Sequence, residues 1–179
     1  MVLKDYNHPC VIMYSIGNEI SELGVPEGQA LCGEQAEFVK SLDSTRAVTA
    51  GVNIMLATMA AKGKGLYGKD KDGEDKKTGS QSMDSMPTST FFNMLMNLAG
   101  DMMDKMSTGK KSDAATEVAF SKLDISGYNY ATSRYEADGS KYPNRIIVGS
   151  ETLPKKLYTN WKLVEKLPYL IGDFMWTSW

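Results

Sequence analysis

Val11-Ile12-Met13-Tyr14-Ser15-Ile16-Gly17-Asn18-Glu19 is a short apolar run that halts at a glycine and ends on a carboxylate. A run of that length closed by a breaker reads as a strand buried on both faces. Just downstream, Pro26 suits the first turn of a helix, and the helix dipole favours Glu27 beside it. Along that helix Leu31, Phe38 and Leu42 share a broad face with Cys32, Ala36 and Val39. Four more strand-like runs follow, at residues 47–51, 123–128, 146–149 and 169–176. Pro154 opens another helix, with Leu157, Trp161 and Val164 at helical spacing. Strands that alternate with crossover helices pair in parallel, which makes the fold class α/β.

Residues 52–120 interrupt the alternation and are expected to form an insertion after the second strand. From Lys62 to Thr90 the chain is rich in Gly, Lys and Asp with little to bury, which predicts a mobile surface loop over 62–90. Residues 91–106 read as an amphipathic helix carrying Met94, Met96, Met102, Met103 and Met106. A methionine stripe of this kind serves core packing or an adaptable partner surface, and packing is the expectation here. Residues 63–68 fit GxGxxG, but no strand precedes them and a run of charges follows, so the match is set aside.

Composition narrows the chemistry. The 179 residues are 42% apolar and 23% charged, enough for one globular domain. No apolar run approaches the ~18 residues of a membrane span, so no membrane partner is expected. The opening residues lack a basic-then-apolar leader pattern, and the compartment is left open, with the cytoplasm slightly favoured as the expectation. With 20 Lys+Arg against 22 Asp+Glu, nothing electrostatic calls for a nucleic acid. Cys10 and Cys32 are too few for a disulfide framework or a cysteine zinc site, and both are expected as small buried thiols. His8, the single histidine, excludes HExxH chemistry. It precedes Pro9 at the end of the first strand away from Glu19, where a structural hydrogen bond is expected. No metal or cofactor is expected, and the chemistry falls to carboxylates.

Two carboxylates stand at strand ends. Gly17-Asn18-Glu19 closes the first strand and Gly149-Ser150-Glu151 the fourth. In parallel α/β folds the carboxyl ends of the strands carry the site, which would bring both glutamates to one cleft. Facing carboxylates suit glycoside hydrolysis, one protonating the leaving oxygen while the other attacks the anomeric carbon or activates water. Strand-end glutamates also serve as helix caps and salt-bridge partners, and spacing alone leaves both readings open.

The stretch Asp5-Tyr6-Asn7-His8-Pro9-Cys10-Val11-Ile12-Met13-Tyr14-Ser15-Ile16-Gly17-Asn18-Glu19 resembles the acid/base signature of glycoside hydrolase family 2, the family of β-galactosidases, β-glucuronidases and β-mannosidases. Gly149-Ser150-Glu151-Thr152 resembles its nucleophile strand, and Gly172-Asp173-Phe174-Met175-Trp176-Thr177 its last barrel strand, in family order. The resemblance implies a (β/α)8 TIM barrel, of which this chain would supply strands four to eight across residues 1–179. It implies Glu19 as acid/base, Glu151 as nucleophile of a retaining mechanism and Asn18 as the partner of the sugar 2-hydroxyl. Tyr130 resembles the tyrosine that contacts the nucleophile, and Trp176 the tryptophan that floors the sugar subsite. The implied substrate is a β-glycoside, with a galactoside favoured. A glucuronide would want a cation beside its carboxylate, for which Arg134 and Lys141 are the candidates.

A full barrel needs about 250 residues. The chain is therefore expected to be a fragment of a larger enzyme, inactive by itself, and to form a homo-oligomer through the exposed edges of its open sheet. The alternative is a non-catalytic partial barrel that assembles with other copies or binds carbohydrate.

Overall fold

The computed structural model describes residues 1–63 and 100–176. Five strands form one sheet in chain order, every neighbouring pair parallel: β1 (Met13–Asn18), β2 (Ala47–Asn53), β3 (Ile125–Asn129), β4 (Ile146–Thr152) and β5 (Leu170–Met175). A short α1 (Val2–Asp5) precedes β1. The crossovers carry α2 (Pro26–Leu42) between β1 and β2, then α3 (Ile54–Ala61), α4 (residues 100–107) and α5 (Lys110–Ser121) between β2 and β3. α6 (Arg134–Lys141) and α7 (Leu157–Lys166) follow β3 and β4. Sequential parallel strands with crossover helices are the build of a TIM barrel, and this sheet has that build over five strands.

Side chains on one face of the sheet meet the helices. Ala50, Val52, Tyr128 and Ile147 pack with Cys32, Ala119, Phe120 and Tyr135, and the Phe120 and Tyr128 rings stack at 4.6 Å. Tyr14 and Val48 pack with Ala36 and Val39 of α2. Pro26 takes the first turn of α2, where its missing N–H costs nothing.

Several expectations change. α2 buries a narrow stripe of Cys32, Gly33, Ala36 and Val39, while Leu31, Phe38 and Leu42 stay exposed. In α7, Leu157 and Trp161 are exposed and the buried residue is Asn160. Cys32 is buried as expected, but Cys10 is exposed, because it lies in the loop before β1. β2 runs to Asn53, whose side-chain oxygen accepts the N–H groups of Met55 and Leu56 and so caps α3. The first residues assigned to the insertion thus continue the barrel, and α5 closes the crossover at its far side. Met102 and Met106 are exposed on α4. Residues 64–99, which hold most of the expected loop, the rest of the GxGxxG match, Met94 and Met96, lie outside the described residues.

Asp43, just past α2, has an acid-stability consequence. Its carboxylate accepts the Thr45 hydroxyl at 2.6 Å and N–H at 2.9 Å, the Arg46 guanidinium at 2.6 Å and the Tyr14 hydroxyl at 3.1 Å. The Thr45 donors lead in holding this carboxyl well below the usual carboxylate range, with Arg46 and Tyr14 adding to them. A depressed folded-state pKa stabilises the fold above the unfolded carboxylate pKa of ~3.9 and loses that stabilisation as pH falls below it. Asp43→Asn should therefore flatten the acid arm of the stability profile, read by urea unfolding at stepped acidic pH. An arm as steep as the wild type's would discard the assignment.

Candidate active site

The carboxyl ends of β1 to β4 converge on Glu19 and Glu151. Both strands that deliver a glutamate are irregular there. On β1, Ser15 pairs Thr49 but Asn18 pairs Gly51, so an extra residue is taken up before Asn18. On β4, Gly149 faces Tyr128 while Glu151 faces Asn129, which leaves Ser150 as the extra residue. A bulge breaks strict alternation and re-aims the side chain that follows, here towards the partner strand's carboxyl end.

Backbone strain marks the same place. Glu19 (φ 53°) and Tyr130 (φ 56°) are the two non-glycine residues with positive φ among the described residues. That angle costs a side-chain-bearing residue on the order of 1–3 kcal/mol and persists where the surroundings hold it. The Glu19 N–H is tied to the Gly51 carbonyl at 2.8 Å, and the Tyr130 N–H to the Glu151 carbonyl at 2.9 Å.

The side chains close into one network around Asn129. Its amide nitrogen lies 3.0 Å from Asn18 Oδ1, 3.2 Å from Glu19 Oε1 and 3.2 Å from Glu151 Oε2. An amide group has two hydrogens, so three acceptors share them and one hydrogen is bifurcated. The amide orientation is set from the other side, where Asn129 Oδ1 accepts the Ser150 hydroxyl at 2.7 Å. Asn53 donates to Glu19 Oε1 at 2.8 Å, and Asn18 to Glu151 Oε2 at 3.3 Å. The Tyr130 hydroxyl donates to Glu151 Oε1. Burial pushes the Glu151 carboxyl up, Glu19 adds to that, and the Tyr130 and Asn18 donors oppose it. Gly51 makes the network possible: a Cβ there would stand 2.3 Å from Asn18 Oδ1 and 3.0 Å from Asn129 Oδ1.

Four of the five residues singled out in the sequence therefore meet: Asn18, Glu19, Tyr130 and Glu151. Trp176 stands at the same end of the sheet, just after β5, with its ring exposed and its backbone N–H on the Thr152 carbonyl at 2.8 Å. Asn53, Asn129 and Ser150 were not foreseen. A signal for two of them exists in Gly51-Val52-Asn53 and Gly127-Tyr128-Asn129, a repeated glycine-x-asparagine ending on adjacent strands. His8 is exposed, and it is its carbonyl that accepts Arg46 Nη2 at 3.2 Å, so its structural bond comes from the backbone. Arg134 and Lys141, the candidate cations for a sugar carboxylate, are engaged within the chain: Arg134 is bound to Asp138 and Asp113, and Lys141 to Asp113. Among the described residues no group of three His, Cys, Asp or Glu side chains is placed to hold a metal ion.

Residues 1–78 match the model of "Glycosyl hydrolases family 2, TIM barrel domain". A family 2 glycosyl hydrolase from Bacteroides cellulosilyticus aligns over 99% of this chain at 34% identity and a TM-score of 0.64. The chain is similar to glycosyl hydrolase family 2, through the family model over residues 1–78 and through this solved relative over nearly its whole length. It covers 17% of that family 2 protein, a small part of the length of the solved structures it matches. The Bacteroides uniformis β-glucuronidase aligns over 98% of this chain and 20% of its own, at 15% identity and a TM-score of 0.52, a likeness of fold. No curated protein matches the chain.

Proposed function

We propose that this segment carries the catalytic pair of a retaining β-glycosidase, with Glu151 as nucleophile and Glu19 as general acid/base. The supporting observation is the shared Asn129 donor. One nitrogen 3.2 Å from an oxygen on each carboxylate keeps those oxygens within about 6.4 Å, twice that distance, a bound that accommodates the ~5–5.5 Å carboxyl separation of a retaining pair. Glu151 attacks the anomeric carbon as Glu19 protonates the departing oxygen. A glycosyl ester on Glu151 results, and Glu19 then takes a proton from the water that hydrolyses it. The Tyr130 and Asn18 donors keep Glu151 available as a carboxylate against the burial that opposes ionisation. Asn18 is the partner of the 2-hydroxyl beside it, and the exposed Trp176 ring is a stacking surface for sugar C–H groups.

The favoured substrate is a neutral β-hexoside, a galactoside first. Arg134 and Lys141 are already committed to carboxylates, which argues against a glucuronide. Five strands wall only part of a sugar pocket, so we expect turnover from a complete barrel that contains this segment and none from the 179-residue chain alone. The exposed Ile12 beside β1 and Ile171 and Phe174 on β5 favour association of the isolated chain through its sheet edges. A panel of nitrophenyl β-glycosides, run on the completed barrel and on the chain, with light scattering of the chain, tests these statements. Hydrolysis confined to the glucuronide would reverse the substrate ranking. Family-level turnover by a monomeric chain would reject its proposed inactivity.

A further inference from the structure

Asp104 lies in α4, within the stretch expected to be an insertion, and is 6% exposed. Its Oδ1 accepts the Ser133 N–H at 2.7 Å. Ser133 is three residues beyond Tyr130, at the start of α6. The loop between them is pinned along its length: the Tyr130 N–H on the Glu151 carbonyl at 2.9 Å, the Thr132 hydroxyl on Asn160 at 2.9 Å, and Ser133 on Asp104. Asp104, Tyr130 and Thr152 line one small hollow at the carboxyl end of the sheet. α4 is itself anchored, by Arg134 Nη1 on the Ser107 carbonyl at 3.0 Å and by the Asp101–Lys156 ion pair at 2.7 Å. Tyr130 needs such an anchor, because its left-handed backbone relaxes once the neighbouring chain is free.

We propose that Asp104 is a positioning residue which, by clamping Ser133, holds the 130–133 loop so that the Tyr130 hydroxyl reaches Glu151. The inference rests on the reading of Glu151 as nucleophile, but its test requires no turnover. With glutamate carboxyl carbons labelled, the Glu151 titration is followed by NMR in the wild-type chain and in variants. Tyr130→Phe removes a hydrogen bond to the carboxylate and should move the Glu151 midpoint upwards. Asp104→Ala should move it upwards by the same amount, and the double variant no further. Asp104→Asn, which keeps an oxygen for the Ser133 N–H, should titrate close to wild type. Ser133 holds φ −63°, so Ser133→Pro deletes the same N–H at an angle proline shares and should repeat the Asp104→Ala shift if that variant does not fold. Loss of a nearby negative charge alone would lower the midpoint, so the sign separates clamping from electrostatics. A lowered or unchanged Glu151 midpoint in Asp104→Ala, additive shifts in the double variant, or no shift in Tyr130→Phe would each overturn the proposal. Failure of the glycosidase reading would show instead in the glycoside panel.

Discussion

Glu151→Gln in a completed barrel abolishes turnover of every aryl β-glycoside, while Glu19→Gln discriminates among them. An amide at position 151 cannot form the glycosyl ester, so leaving-group quality cannot rescue it. At position 19 the loss falls on protonation. Substrates with poor leaving groups should lose about 10²–10⁴-fold, the usual worth of general acid catalysis, whereas nitrophenyl glycosides should keep their first step. An amide at 19 also lacks the base for the second step, so an activated substrate should show a burst followed by slow release. The two glutamates sit at comparable depth and share the Asn129 donor, so their difference must come from chemistry rather than from access. Equal losses on activated and unactivated substrates in both variants would overturn the division of roles.

The second large effect is on stability. Asp138 in α6 is 3% exposed and accepts Arg134 Nε at 2.7 Å, Arg134 Nη2 at 2.6 Å, Arg145 Nη1 at 3.0 Å and the Tyr128 hydroxyl. Arg134, 1% exposed, also reaches the Ser107 carbonyl and Asp113. Asp138→Ala removes the carboxylate shared by two guanidinium groups and a buried phenol, leaving Arg134 with Asp113 and the Ser107 carbonyl, and should cost about 3–5 kcal/mol, the usual penalty for breaking a buried ion pair from one side. Arg134→Met should cost less, because Asp138 keeps Arg145 and Tyr128. Urea unfolding of the two variants gives the comparison. An Asp138→Ala penalty no larger than that of Arg134→Met would mean that water or neighbouring carboxylates compensate the freed cations. The network joins α4, α5, α6 and β3, so its loss should also loosen the anchor beneath Tyr130.

The places where sequence reading stopped short share a cause. The apolar run of β4 covers only 146–149, and the strand continues to Thr152, where Ser150 and Glu151 bond to Asn129 and Tyr130 across the strand end. Polar residues at the mouth of a barrel carry no hydrophobic pattern to announce a strand. The α2 face came out too broad because apolar character does not compel burial. Leu31 and Phe38 flank the stripe that meets β1 and β2 and remain in solvent. In α7 the buried position is Asn160, chosen by Asp173 and Thr132 rather than by hydropathy.

Strand–helix alternation, the parallel pairing it entails, and the placement of Glu19 and Glu151 at carboxyl ends were all determined by the sequence by itself. Each depends on local periodicity and on breakers such as Gly17 and Pro26, whose effect is felt within a few residues. The tertiary structure alone decided the two bulges that aim the glutamates, the left-handed backbone of Glu19 and Tyr130, and the convergence of three acceptors on Asn129. Those features depend on the register between strands distant in the chain. An extra residue in one strand changes what its neighbour's side chain meets, and no local property of either segment specifies that meeting.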